Sequence, residues 1–261
     1  MVKKIFAKGY VTLILCLMYA PIFVLIAFSF TEATLIGKWS GFSLELYTKL
    51  FQNEQIMTAL KNTILIALAS AVVSTMLGTL GAVGVYYCRK RFRKGMEFIG
   101  QIPILNPEIV TALSLTILFV FLGIKFNFVT LLIGHVVLTI PFVVLSITPK
   151  LKQMDPNVYE AALDLGAKPS MALRKVILPE IIPGVLSGFV LAITLSLDDY
   201  IITAFTRNNS FQTISTYVYG ITAKKGALPP TLRALTTIIF LFTLVLLIFI
   251  NIRSKKKEVK R

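Results

Sequence analysis

Long apolar runs alternate along this chain with short polar connections. Six runs reach the roughly 20 mostly apolar residues that a helix needs to cross a bilayer. They are 10–30, 62–87, 99–122, 128–148, 181–205 and 232–252. The pattern predicts an all-α membrane protein with six transmembrane helices in one domain over 1–261, and its connections are too short to hold a soluble domain. Composition agrees: of 261 residues, 56% are hydrophobic and 15% charged, and mean hydropathy is +0.80. A soluble domain carries about 25% charged residues.

Net charge is +15, and its placement changes what it means. Lys3, Lys4 and Lys8 precede the first run, and Arg89, Lys90, Arg91, Arg93 and Lys94 follow the second. Lys150, Lys152, Lys168, Arg174 and Lys175 lie between the fourth and fifth, and Arg253, Lys255, Lys256, Lys257, Lys260 and Arg261 end the chain. With six alternating runs all four clusters fall on one side, which the positive-inside bias makes cytoplasmic, along with both termini. The charge therefore reports orientation in the lipid bilayer, with no nucleic acid as partner. Arg207, Lys224, Lys225 and Arg233 break the pattern. They lie in the outside connection before the sixth run, which is expected to fold as a partly helical cap. The first run exceeds the 7–15 residues of a signal-peptide core and is expected to be retained. Cys16 and Cys88 are expected as free thiols, since two isolated cysteines make no metal or redox motif.

The connection 31–57 carries Trp39, Phe42, Tyr47 and Phe51, suited to a lipid–water boundary or to a docked partner. Small residues along the second run, from Ala67 to Gly84, suit close helix packing. Pro103 and Pro107 interrupt the third run beside Asn106 and Glu108, and a proline there frees a carbonyl and kinks the helix. His135 in the fourth run is expected to be a hydrogen-bonded interhelical residue rather than a ligand.

Candidate chemistry gathers in the fifth run, where Ser196-Leu197-Asp198-Asp199-Tyr200 interrupts an apolar sequence. An acid inside a span costs about 2.5–3.5 kcal/mol, so such residues usually face an interior or aqueous path. Neighbours on a helix lie about 100° apart, so Asp198 and Asp199 cannot share one face. One is expected to face the path while the other caps, pairs or holds the helix. Alternatively the span breaks here and an aspartate caps a half-helix. With Glu108 these make three acids, and acids lining a path favour cations. Tyr200, Tyr19 and Phe142 offer cation–π contacts of about 0.5–2 kcal/mol each. The candidate path residues are Glu108, Ser196, Asp198, Asp199, Tyr200 and Tyr19. They suit an extended, multiply charged amine, whereas an anion would call for arginines at this depth.

Between the fourth and fifth runs, the segment 150–180 holds Glu160-Ala161-Ala162, then three residues, Gly166, nine residues and Val176-Ile177-Leu178-Pro179. The small alanines leave a helix face open to close approach. Gly166 permits a positive φ and a sharp turn, and Pro179 sets where the next helix begins. An ordinary amphipathic linker helix is the other reading of this stretch.

The spaced motif closely resembles the cytoplasmic loop of ATP-binding-cassette importer permeases, with Val176 in place of the usual isoleucine. Over nearly its whole length the chain also looks like the second permease subunit of spermidine/putrescine importers. The matching segments are Tyr19-Ala20-Pro21-Ile22, the aromatic stretch 39–47, Asn106-Pro107-Glu108-Ile109-Val110 and Leu195-Ser196-Leu197-Asp198-Asp199. Glu108 stands where an aspartate is common. The resemblance implies the fold of a type I importer permease in a bacterial inner membrane. It also implies a cytoplasmic ABC ATPase dimer docked on Glu160, Ala161, Ala162, Gly166, Leu178 and Pro179, a sister permease, and an extracytoplasmic polyamine-binding protein. It further implies that Asp198, Asp199 and Glu108 guide the polyamine. The chain has no G-x-x-x-x-G-K-[ST] loop, so ATP and magnesium would belong to the partner and the chain itself is no enzyme. Three alternatives stay open: a permease of this superfamily carrying ferric ion or another solute, a channel or ion-coupled secondary transporter, and an intramembrane enzyme. The last would want paired histidines or a nucleophile–base set, and the second leaves the spaced loop unexplained.

Overall fold

The computed structural model describes residues 2–33, 39–155, 157–225 and 229–258. Parts of the 31–57 connection, Pro156 of the loop motif region, and Lys260 and Arg261 of the basic tail lie outside the described residues. Every regular element among the described residues is helical. The chain forms two compact units, one of residues 1–57 with 220–261 and one of 58–219.

In the first unit, α1 (Val2–Ser29) packs against α12 (Thr231–Glu258), which also packs on the short α2 (Glu45–Gln52). Residues 8–21 of α1 are exposed throughout, as suits a helix whose outer face meets lipid or another chain. Its end is held by aromatic packing. Phe30 lies 5.4 Å from Tyr47 and stacks on Phe42 at 5.7 Å, and Ser29 shares a 2.7 Å hydrogen bond with the Tyr47 hydroxyl. The aromatic connection thus packs on itself, although Trp39 and Phe42 remain exposed. Glu45 and Lys49 pair one turn apart on α2, and each charge favours ionisation of the other, holding the carboxyl low and the ammonium high. Arg233 is buried at the start of α12 and donates to the Ala33 carbonyl at 2.8 Å.

The second unit contains most of α3 (Glu54–Tyr86), α4 (Lys90–Leu105), α5 (Glu108–Phe121), α6 (Phe128–Gln153), α7 (Asn157–Asp164), α8 (Pro169–Ala172), a π-helical turn Leu173–Ile177, α9 (Leu178–Asp198), α10 (Ile201–Thr206) and the first turns of α11 (Ile214–Lys225). Its core forms where α6 meets α9 around Val143, Ile147, Leu151, Ile177, Ile181 and Ala192. The approach depends on Gly184 and Gly188, four residues apart, a spacing that lets membrane helices close on each other. A Cβ at Gly184 would stand 3.0 Å from the Ser146 carbonyl oxygen and 3.2 Å from Ile147 Cα. A Cβ at Gly188 would stand 3.2 Å from Val143 Cα. These neighbours are backbone and cannot swing aside. Gly184→Val is therefore expected to destabilise the fold by about 1–3 kcal/mol, the usual cost of overpacking. Gly84→Ala, whose added carbon meets nothing within 4 Å, serves as control. Thermal unfolding of the detergent-solubilised protein checks this pair.

Two expectations need correction. The run 99–122 is not one straight span but the pair α4 and α5, bent by 101°. Asn106 is extended (φ −75°, ψ 138°), as a residue before proline prefers, and Pro107 caps the following helix with an extended backbone. Pro179 lies in the first turn of α9, as expected, while the helical path as a whole starts at Pro169 and runs for 30 residues to Asp198. The π turn makes this possible: the Leu178 N–H reaches back to the Leu173 carbonyl, and the wider turn relieves the clash a proline ring makes in a regular helix. The fifth run also does not continue to 205, since α9 stops at Asp198 and the chain restarts as α10. Four described helices are long and apolar enough to cross a membrane, or five if the bent pair counts as one, and α12 adds an apolar stretch Thr231–Val245.

Candidate functional site

The loop segment is a short helix followed by a sharp turn. Asp155 starts α7 by accepting from the Asn157 N–H at 2.9 Å. At its end Gly166 takes φ +82°. The Gly166 N–H bonds the Leu163 carbonyl at 2.9 Å and the Ala167 N–H bonds the Ala162 carbonyl at 3.1 Å. This pair of bonds is the Schellman ending that a left-handed glycine allows. The chain then turns into α8, with Pro169 in its first turn. Glu160 and Ala161 are exposed, Ala162 is half-buried, and Leu165 is 89% exposed. Tyr159 anchors the inner side of α7 against Tyr87, with ring centroids 4.8 Å apart. An outer face that combines a carboxylate, small residues and a bare leucine is one another protein can cover. Leu178 and Pro179 are exposed at the start of α9.

The acids stand at the other end of the same helical path. Asp198 is the last residue of α9 and is exposed, with no hydrogen bond or ion pair among the described residues. Asp199 follows in extended backbone (φ −64°, ψ 129°) and is 5% exposed. Its Oδ1 accepts from the Ile202 N–H at 3.1 Å, and its Oδ2 accepts from the Thr203 N–H at 2.8 Å and hydroxyl at 2.7 Å. Asp199 therefore caps α10, the alternative that the sequence left open. Its own carbonyl accepts from the Ser215 hydroxyl at 2.7 Å. Glu108, half-buried in the first turn of α5, lies within electrostatic range of both aspartates. Tyr200 stacks beside the break on Tyr219, ring centroids 4.4 Å apart.

Ser196 has its hydroxyl turned inward, 2.7 Å from His135 Nδ1 and 3.1 Å from the Ser70 hydroxyl. His135 is fully buried, and its Nε2 lies 2.9 Å from the Thr203 hydroxyl and 3.6 Å from Asp199 Oδ2. It is the interhelical residue expected from the sequence. Tyr19 belongs to the first unit, exposed on α1, and Phe142 is half-buried on α6. The structure thus gathers Glu108, Ser196, Asp198, Asp199 and Tyr200 around one break. Thr203 and Ser70 were not singled out beforehand. An aspartate four residues before a threonine is a recognisable cap signal, whereas Ser70 is hidden among residues that suit packing alone.

Side chains from neighbouring helices pin the restart after the break. Thr116 on α5 donates to the Phe205 carbonyl at 3.1 Å, and Thr130 on α6 donates to the Thr206 carbonyl at 2.9 Å. Gly134 admits α10 closely, since a Cβ there would stand 2.7 Å from Ile202 Cγ2. A mainly apolar cavity of about 570 Å³ lies between the ends of α3, α4 and α6, with the Glu97–Lys152 ion pair (3.1 Å) in its wall, and none of the three acids lines it.

Helices of this length and apolarity define a multi-pass membrane protein. The family of binding-protein-dependent transport system inner membrane components matches residues 74–257, and the chain belongs to it. The spermidine/putrescine transport system permease protein PotC of Escherichia coli (strain K12) is 35% identical over 260 residues, covering 98% of this chain and 97% of that one. The putrescine transport system permease protein PotI of the same strain is 33% identical over 229 residues, covering 85% of this chain and 81% of its own. Among solved structures, a bacterial ABC transporter involved in the import of the acidic polysaccharide alginate matches with a TM-score of 0.75. That match covers 97% of this chain and 95% of the other at 19% identity, a likeness of fold alone. The chain's homologues are transport permease subunits.

Proposed function

We propose that this chain is one permease of an ATP-driven importer of polyamines. The observation that carries the reading is Asp198: an exposed carboxylate without a hydrogen bond or ion pair among the described residues, at a helix break, with Glu108 in electrostatic range. A second ammonium of the same solute can reach the second acid, which a monovalent cation cannot do. The names of the relatives, spermidine/putrescine and putrescine permeases, agree with that chemistry.

In this reading six crossings place both termini in the cytoplasm of a bacterial inner membrane, with the bent pair α4–α5 serving as one crossing. Glu160, Ala161, Ala162, Gly166 and the exposed Leu165 receive a cytoplasmic ABC ATPase dimer, which holds the ATP and magnesium. A sister permease completes the path, and an external polyamine-binding protein delivers the solute. From Leu178 to Asp198 the helix measures about 30 Å, close to the thickness of a hydrocarbon core. His135, 3.6 Å from Asp199, stands seven residues inside the outer end of α6, so Asp198 and Asp199 lie about 10 Å below that end, short of mid-bilayer where ionised groups cost most. ATP binding closes the ATPase dimer and pulls α7, and the helices shift between two arrangements, opening first outward and then inward.

The test is uptake into liposomes that hold the whole complex. Labelled spermidine and putrescine should enter only with ATP inside the ATPase compartment and with binding protein outside, and each should compete with the other. Uptake of a ferric complex in their place, or ATP-independent leakage of small cations, would overturn the reading.

A further inference from the structure

Asp198 and Asp199 are adjacent in sequence yet stand in opposite surroundings. Asp198 is exposed, whereas Asp199 has both carboxylate oxygens occupied by Ile202 and Thr203. We propose that His135 is a positioning residue for passage: through Thr203 it fixes Asp199 as the inner wall of the break, so that Asp198 alone meets the cation. This rests on the reading of Asp198 as a polyamine contact.

The proton inventory of the network gives it a direction. An ionised carboxylate only accepts, so the single Thr203 hydroxyl proton goes to Asp199 Oδ2 at 2.7 Å. The Thr203 oxygen must then accept from His135 Nε2 at 2.9 Å, which places the imidazole proton there. Nδ1 is left as an acceptor and takes the Ser196 hydroxyl proton at 2.7 Å. Ser196 in turn lies 3.1 Å from the Ser70 hydroxyl, whose one proton is shared with the Ala67 carbonyl, also at 3.1 Å. The relay runs Ser70, Ser196, His135, Thr203, Asp199 and joins α3, α9, α6 and α10. All five side chains are buried, so water cannot replace a missing member without opening the fold. Asp199 is thus the end of a structural relay, and its charge is already spent on three internal donors.

An apolar residue at position 135 removes both central bonds. Glutamine keeps them, because its amide offers one acceptor and one donor about as far apart as the two ring nitrogens. In the reconstituted complex, His135→Leu is expected to raise the KM for spermidine about tenfold, with the maximal rate affected far less. His135→Gln should stay within about threefold of the unaltered protein. Adding Asp199→Asn to His135→Leu should cost little more, since both cut one relay. A second measurement reads geometry directly. With Cys16→Ser and Cys88→Ser as background, Asp198→Cys is labelled with a cationic methanethiosulfonate reagent. His135→Leu should change the labelling rate severalfold and His135→Gln should not. Should His135→Leu fail to assemble, Thr203→Val against Thr203→Ser makes the same comparison one link further on. An unchanged KM together with an unchanged labelling rate in the apolar variants would overturn the proposal, as would losses from His135→Leu and Asp199→Asn that multiply. If the unaltered complex moves no polyamine, the cargo reading fails, while labelling at position 198 still decides the positioning role.

Discussion

Gly166→Pro is expected to abolish ATP-driven uptake while the protein still reaches the membrane. Gly166 has φ +82°, and proline fixes φ near −65°. Proline also lacks the N–H that Gly166 donates to the Leu163 carbonyl. Both bonds of the Schellman ending then fail together, and α7 meets α8 at a new angle. No Cβ clash arises, since nothing lies within 4 Å of the position, so the defect is one of direction rather than packing. Gly166→Asn should be the mildest replacement, because asparagine tolerates the left-handed region, and Gly166→Ala should cost about 1 kcal/mol locally. Membrane content, co-purification of the ATPase, ATP hydrolysis and uptake are measured on the same preparations. Normal uptake by the proline variant would remove the coupling role from this turn.

Asp198→Asn is expected to lower the apparent affinity for spermidine by about ten- to hundredfold, the equivalent of losing one charge-assisted hydrogen bond of about 1.5–3 kcal/mol. Spermidine and putrescine should both suffer, because each carries at least two ammonium groups and can meet both Asp198 and Glu108. Asp198→Glu should recover part of the loss. Assembly with the ATPase should be unchanged, as Asp198 makes no hydrogen bond or ion pair among the described residues. Unchanged affinity for both amines would remove position 198 from the path.

The sequence disclosed the turn at Gly166 and the interruption at Pro107 because glycine and proline speak through the backbone alone. It also placed three acids among the candidates by type and marked His135 as an interhelical residue. It did not disclose which aspartate points inward. The estimate of about 100° between neighbours holds inside a helix, and the helix ends between these two residues. Asp199 lies in extended backbone, where its direction follows from Thr203 four residues on, and from Ser215 and His135, which lie farther off in the chain. Pro179 marks the start of α9 but not of the whole helical path. A proline ordinarily marks a boundary, but a single π turn leaves hardly any trace in hydrophobic periodicity and absorbs it. Gly184 and Gly188 carried a legible spacing, yet nothing local revealed that α6 would be the helix they admit.

That absorbed proline has a mechanical consequence. From Pro169 to Asp198 the path is one rod of 30 residues, about 45 Å long. One end follows directly on the segment proposed to bear the ATPase, and the other carries the acid proposed to bear the solute. Push and grip are thus opposite tips of a single lever, with the close Gly184–Gly188 seam against α6 as its natural fulcrum. A displacement at Pro169 would reach Asp198 along one continuous helix, so in the proposed reading the ATPase stroke and the change at the acids are a single event.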